Sequence, residues 1–305
     1  MFDVITVGSA TVDAFVNTGS QLFRKTKTKN VSVPFGSKIL IEDLKFDIGG
    51  GGTNTAVAFS RLGLKTGYIG SVGCGNNSQR VMKLLKKEKI DISLLQCGKG
   101  RTGFSVILDA KQHDRTILNF RGNNNDLDYN KIKKPIKTKW FYFSAMLGKS
   151  FETQKKLANY AKKNNIKIAY NPSSYLSKKG AKHISYILKR TDLLVLNKEE
   201  AEYLVGKKDT LNKLLKLGPK LAVITDGKKS TYASDGEKVY SIKPNNIKVI
   251  ETTGAGDAFA ATFLTGLIKN KDIKCSLKMG LKNAQSVIQH YGAKNKLLTY
   301  KELKC

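Results

Sequence analysis

Histidine is scarce in this chain: His113, His183 and His290 are all it has. Its four cysteines, Cys74, Cys97, Cys275 and Cys305, lie far apart in sequence. Neither set has the close spacing of a metal or redox motif, so no metal cluster is predicted. No apolar run reaches the ~20 residues of a membrane-spanning helix. The opening Met1-Phe2-Asp3-Val4-Ile5-Thr6-Val7-Gly8 has no basic start, long apolar stretch or cleavage site. It reads as a buried strand and not as a secretory signal. These absences together predict a reducing, cytoplasmic setting. The sequons Asn30-Val31-Ser32 and Asn76-Asn77-Ser78 then carry no weight.

Acids are also few: 24 against 54 lysines and arginines, a net charge of +30. Such a charge raises the question of a nucleic-acid partner. The lysines come as scattered pairs, such as Lys86-Lys87, Lys133-Lys134 and Lys228-Lys229, and not as a basic tail. They argue for a generally basic surface, which would attract a polyanion such as ATP, and against nucleic acid. With 40% hydrophobic residues the composition is that of a globular protein.

No repeat or low-complexity linker divides the chain, which predicts a single domain over residues 1–305. Strands are predicted at Asp3–Gly8, Thr66–Ser71, Trp140–Ser144, Lys167–Asn171, Leu193–Asn197 and Leu221–Thr225. Helices are predicted at Asn54–Leu62, Ser78–Lys89, Phe151–Asn164, Lys198–Leu204, Asp209–Leu217, Asp257–Lys269 and Ile273–His290. This alternation predicts an α/β, doubly wound, mostly parallel sheet with helices on both faces. Two regions, about 31–47 and 102–121, break the rhythm. Lys38–Ile41, Leu44–Asp47, Thr102–Asp109 and Arg115–Arg121 read as four short strands of a small β-sheet lid.

Glu251-Thr252-Thr253-Gly254-Ala255-Gly256-Asp257 opens a helix with apolar residues at helical spacing. Free amides at a helix start carry partial positive charge. With Gly254, Ala255 and Gly256 there, an anion can approach the backbone closely. A carboxylate at Asp257 beside an anion site suits a base that takes a proton from a hydroxyl attacking phosphorus. An aspartate in a first turn also caps amides, which is the alternative.

Gly49-Gly50-Gly51-Gly52-Thr53-Asn54 precedes another helix, and Asn54 offers a donor and an acceptor suited to a polyol. No lysine followed by Ser or Thr is present, so this is not a Walker loop. Gly98-Lys99-Gly100-Arg101-Thr102-Gly103 has dinucleotide spacing but runs into a strand, and is rejected. Asp13 reads as a loop acid past the first strand. Asn197-Lys198-Glu199-Glu200 reads as a magnesium ligand through water or as a helix cap. Thr225-Asp226-Gly227 is a nucleotide contact or a turn.

Together these residues resemble the ribokinase-like, or phosphofructokinase-B-type, family of sugar and nucleoside kinases. The resemblance runs from Val4 to about Ala293. It rests mainly on the glycine cluster with Asn54 and Arg61-Leu62-Gly63, and on Thr252–Asp257. It implies transfer of the ATP γ-phosphate to a hydroxymethyl group, with Mg2+ as cofactor. By match, Asp257 is the base and Gly254, Ala255 and Gly256 the anion hole. Asp13, Gly50, Gly51 and Asn54 line the acceptor pocket. Asn197 and Glu200 order magnesium and phosphate, and Thr225, Gly227 and Asn283 lie along the nucleotide. Glu251, where the family usually has Asp, implies a K+ site together with Gly292-Ala293. Ribokinases usually have Lys where Gly51 stands, which argues against ribose. The family also implies a homodimer formed through the lid. A nucleoside kinase is the alternative, with Phe35, Phe46, Phe104 and Phe120 as candidates to stack on a base.

Overall fold

Strand alternation puts successive side chains on opposite faces, and the first strand shows the consequence: Val4 and Ile5 belong to two different apolar clusters. The computed structural model describes residues 1–19, 35–109, 115–303 and 305. The chain runs β1 (Phe2–Val7), β2 (Thr11–Asn17), β3 (Asp43–Gly49), α1 (Gly51–Arg61), β4 (Thr66–Val72) and α2 (Asn76–Lys87). Next come β5 (Leu95–Cys97), β6 (Gly103–Asp109), β7 (Arg115–Phe120), β8 (Thr138–Phe143), α3 (Gly148–Lys163) and β9 (Lys167–Tyr170). Then follow α4 (Ser173–Ser177), α5 (Ala181–Leu188), β10 (Leu193–Asn197), α6 (Lys198–Val205), α7 (Thr210–Lys216) and β11 (Leu221–Thr225). The last elements are β12 (Thr231–Ser234), β13 (Val239–Ile242), α8 (Ala255–Ile268) and α9 (Ile273–Val287).

Among the described residues the large sheet has the order β13-β12-β11-β10-β9-β8-β1-β4-β5. It is parallel from β5 to β11, and β12 and β13 add antiparallel strands at one edge. One face packs Val4, Tyr68, Tyr142 and Val223 against α1, α8 and α9. The other packs Ile5, Phe141, Ile168 and Leu194 against α3, α5 and α6. Helices on both faces make this a doubly wound α/β fold, as expected. No helix of the described residues is long and apolar enough to cross a membrane.

A smaller sheet has the order β3-β2-β6-β7. The expectation of a four-stranded lid sheet holds, but one strand is different. Lys38–Ile41 takes no regular structure and is largely exposed, so it finds no neighbour to pair with. The fourth strand is β2, which carries Asp13. In sequence Asp13 reads as a loop residue because only three residues, 8–10, part β1 from β2. The chain can turn that sharply because Asn124 clamps Ala10, accepting from its amide and donating to its carbonyl, both at 2.8 Å. The lid positions expected at 31–34 and the turn Ala110–Asp114 lie outside the described residues.

Two of the cysteines, far apart in sequence, meet in space. Cys275 and Cys305 are joined as a disulfide, with Cα atoms 5.5 Å apart. Their separation of 30 residues hides the proximity. The tail folds back along α9: Asn283 accepts from the Leu298 amide, Lys282 donates to the Glu302 carbonyl, and Leu303 packs on Leu62 and Met279.

Candidate active site

The strand order reverses at β1. From there the sheet runs to β4 and β5 on one side and to β8–β11 on the other. A crevice therefore opens at the carboxyl ends of β1 and β8, where ligands bind in such folds. Ser144, just past β8, donates its amide to the Val7 carbonyl at 3.0 Å and marks that rim.

The start of α1 is planted on the crevice. The Gly52 and Thr53 amides reach the Ser9 carbonyl at 3.1 and 3.3 Å. A Cβ added at Gly52 would come within 2.5 Å of the Gly8 carbonyl carbon. Only glycine permits this contact between a helix and a strand end. The helix thus begins three residues ahead of the expected Asn54, because tertiary contacts overcome the breaker tendency of glycine. Asn54 falls one turn inside α1 and faces across the cleft.

From the other side comes α8. Gly254 caps it with φ 78°, and a Cβ there would overlap Ala293. Asp257 is the third residue of α8. Gly256 beside it is exposed, and a Cβ there would meet nothing within 4 Å, so this backbone is open to a ligand. Asn54 Nδ2 donates to Asp257 Oδ2 at 2.9 Å, which joins the two loops in one site. Asp257 is half-buried, and desolvation of its carboxyl pushes it up to about 6. The Asn54 hydrogen bond and the Lys294 charge pull the other way. Gly51 lines the same space: a Cβ on it would lie 3.1 Å from Ser144 Cβ and 3.7 Å from Asp257 Oδ1.

The lid sheet turns a polar row toward this point. Register places Asp13 opposite Asp47 and Ser105, and Ser105 opposite Asn119. Thr11 Oγ1 donates to Asp13 Oδ1 at 2.8 Å, and Asn119 Nδ2 donates to Ser105 Oγ at 3.0 Å. Asn119 Oδ1 is buried without a partner. Burial raises the Asp13 carboxyl, opposed by Thr11, Ser105 and Lys294. Two facing carboxylates repel, and Lys294 answers them: its Nζ lies 3.6 Å from Asp47 Oδ2 and 3.2 Å from Asn54 Oδ1, and it donates to the Ile48 carbonyl. Gly50, which caps α1 with φ 98°, holds the turn between Asp47 and this helix.

Along the carboxyl edge, Asn197 ends β10 beside Thr225, the end of β11. Asn197 and Glu200 form a reciprocal helix cap, with hydrogen bonds of 2.8 and 3.0 Å. Burial raises the Glu200 carboxyl, and Asp257 adds to the rise. Gly227, at φ 53°, lies in a turn in which Lys229 donates to Asp226. Asn283 is fully buried between helices: Nδ2 donates to Thr262 Oγ1 at 2.7 Å and Oδ1 accepts from Leu298. Its amide joins α8, α9 and the tail, and is engaged at both ends. Glu251 Oε2 accepts from the Gly292 amide at 2.7 Å, while its Oε1 is buried without a partner.

Sequence reading missed Asp47, Ser105, Asn119 and Lys294. Asp47 stands just before the glycine cluster, and Lys294 just after Gly292-Ala293, which is the only trace they leave. One lysine among many carries no local signal, and the row on the lid exists only in cross-strand register.

Comparison with known proteins bears on the family and the fold. The family model described as pfkB family carbohydrate kinase matches residues 1–299. An ATP-dependent 6-phosphofructokinase of Thermoanaerobacterium thermosaccharolyticum is 26% identical over 305 residues, covering 96% of this chain and 89% of that protein. A nucleoside kinase of Methanocaldococcus jannaschii, an archaeal member of the ribokinase family, superposes with a TM-score of 0.81 at 24% identity, covering 99% and 96% of the two chains. Arabidopsis thaliana ribokinase complexed with ribose and ATP does so with 0.81 at 19% identity, covering 99% and 97%. These structures share the fold. The chain belongs to the pfkB family of carbohydrate kinases.

Proposed function

We propose that this kinase moves the ATP γ-phosphoryl group to a hydroxymethyl group of a small sugar, with Asp257 as general base. The observation that carries this reading is the Asn54–Asp257 pair beside the open backbone at Gly256. The acceptor hydroxyl gives its proton to Asp257 as its oxygen bonds to the γ-phosphorus. The bond from phosphorus to the bridging oxygen breaks, and ADP leaves with that electron pair. Gly254, Ala255 and Gly256 form the anion hole for the transferring group. Asp13, Gly50, Gly51 and Asn54 line the acceptor pocket, with Asp47, Ser105 and Asn119 added from the lid. The lid sheet β3-β2-β6-β7 excludes water and so limits hydrolysis.

Asn197, Thr225 and Gly227 carry the nucleotide along the strand ends. Glu200 suits a hydrated Mg2+ ion, which takes oxygen ligands and few of them from protein. The unpartnered Tyr142 hydroxyl, raised by burial and then by Asp257 and Glu200, leaves polar capacity for such waters. Bound with ATP, the ion would neutralise phosphate charge. Glu251 Oε1, buried without a partner beside the Gly292-Ala293 loop, fits a monovalent cation such as K+. Asn283 is better read as structural.

A nucleoside acceptor is the second reading. Phe46, Phe104 and Phe120 share the lid face opposite to Asp13, so they cannot stack over a ligand held by it. Phe15 lies on the Asp13 face and is the aromatic that favours this reading. ATP with ribose, fructose, 2-keto-3-deoxygluconate, adenosine, cytidine or inosine separates the two. Phosphorylation of a free sugar supports the first; turnover confined to nucleosides overturns it.

We place the enzyme in the cytoplasm, with its ATP supply, as a homodimer joined through the lid. Leu44, Phe46, Leu118 and Phe120 are exposed on one face of the lid sheet, as an interface between two copies requires. The net charge of +30 serves to attract ATP, without a nucleic-acid partner.

A further inference from the structure

Proton transfer to Asp257 leaves one buried charge without a task. Lys294 is 4% exposed and reaches the site from the loop after α9. An ammonium group has three donors and no acceptor. Here they face three acceptors: the Ile48 carbonyl, Asn54 Oδ1 at 3.2 Å and Asp47 Oδ2 at 3.6 Å. Two of its donors are hydrogen-bonded to protein and the third faces an ion-pair partner, so its action on the reaction runs through a neighbour. Helix α1 grips the residue at both ends. Arg61 donates to the Lys294 carbonyl at 2.7 Å and is itself held by Glu88 at 2.6 Å. Asn54 and Arg61 stand about two turns apart on α1, so the lysine lies along one face of that helix.

We propose that Lys294 is a positioning residue for phosphoryl transfer: its ammonium fixes the Asn54 amide so that the NH2 end points at Asp257 Oδ2, leaving Oδ1 to receive the acceptor's proton. This rests on Asp257 being the base. The argument is one of polarity. An amide has an acceptor at one end and two donors at the other. Beside an ammonium only the oxygen end is tolerated, so the NH2 end must face the carboxylate. Without the ammonium the amide can turn, and its oxygen would then oppose the carboxylate. Oδ1 faces the space left by the missing side chain of Gly51. The other charged or titratable groups here are Glu200 from α6, Tyr142 from β8, Asp13 from β2 and Asp47 from β3. Lys294 is the cation in that set, and it lowers the proton affinity of Asp257.

The test is a double-mutant cycle on the full chain, with ATP and the best acceptor from the panel. Thermal melts check folding, and calorimetry checks ATP binding. Lys294→Met should lower kcat by ~10–100-fold, the scale of a misplaced catalytic group, with KM for ATP unchanged. The acid limb of kcat should move to higher pH. In an Asn54→Ala background the same change should cost less than about threefold, because no amide remains to orient. Lys294→Gln keeps a donor for Asn54 Oδ1. It should recover much of kcat while its acid limb still moves up. Where Lys294→Met does not fold, Lys294→Gln alone decides: an unmoved limb or a collapsed kcat overturns the proposal. Full activity in Lys294→Met, or losses that multiply in the double variant, also overturns it. Asp257→Asn run in parallel separates the two ideas. If that variant turns over normally, the base assignment has failed; if it is dead while Lys294→Met is normal, only the role of Lys294 is lost.

Discussion

Asn54 and Asp257, 203 residues apart in sequence, meet through a hydrogen bond of 2.9 Å. One sits a turn inside α1 and the other in the first turn of α8, so two helix starts converge on the crevice beside β1. The contact holds a carboxyl group next to backbone open to an anion, which the carboxyl repels whenever it is ionised.

Asp257→Asn keeps the shape and the Asn54 contact but removes the proposed base. Turnover should fall by ~10²–10⁴-fold, the usual worth of general-base catalysis. ATP affinity by calorimetry and the melting temperature should stay near wild type. Near-normal turnover would sink the assignment.

Acid should switch the enzyme off before it unfolds this region. The Asp257 carboxyl is pushed up from 3.8 to about 6 by burial. The proposed base must be ionised, so kcat/KM, which reports the free enzyme, should rise with pH through about 6 and level off above it. The stability sign is opposite. A carboxyl that holds its proton more tightly in the folded state contributes stability below about 4, and loses it as pH rises through about 6. A pH profile of kcat/KM, set beside melts at the same pH values, checks both slopes.

Much of the site was legible because its backbone needs glycine, and glycine is visible in sequence. The clusters at 49–52 and 254–256 mark where strands and helix starts touch. The parallel strands also read well, since buried apolar runs alternate with helices. What stayed hidden depends on contacts across the fold. Strand β2 follows β1 too closely to be expected. Asp47, Asn119 and Lys294 gain meaning only from cross-strand register or a returning tail. Asn283 matched a family pattern, yet its surroundings give it a packing task.

The glycines of the two helix starts should respond in opposite ways to alanine. A Cβ at Gly52 meets the Gly8 carbonyl carbon at 2.5 Å, and backbone cannot yield. Gly52→Ala should cost ~1–3 kcal/mol or more, as overpacking does, and lower the melting temperature. At Gly256 a Cβ meets nothing within 4 Å. Gly256→Ala should melt like wild type yet lose kcat, because the methyl group occupies the space proposed for the transferring phosphoryl group. Unchanged kcat in Gly256→Ala would remove this glycine from the anion hole.

Asn283→Ala should separate packing from nucleotide contact. The change leaves Thr262 and the Leu298 amide without their partner in a buried setting. Such a loss costs ~1–3 kcal/mol, read by denaturant unfolding. KM for ATP should not change at a temperature where the variant is folded. A raised KM with normal stability would return Asn283 to the nucleotide site.

The exposed apolar face of the lid sheet gives the last prediction. Leu118 is 58% exposed and Phe120 and Phe46 are each 52% exposed, all on one face. Patches of this kind are uncommon on proteins that stay single. Sedimentation at micromolar concentration should show a dimer. Leu118→Lys places a charge in that face at little cost to a lone subunit, because the side chain is already in water. It should shift the protein to monomer without lowering the melting temperature of the subunit. Because the polar row Asp47–Asp13–Ser105–Asn119 lies on the other face of the same strands, freeing the lid should also weaken acceptor binding more than ATP binding. A wild-type monomer, or a variant that stays dimeric, would rule out the lid as the interface.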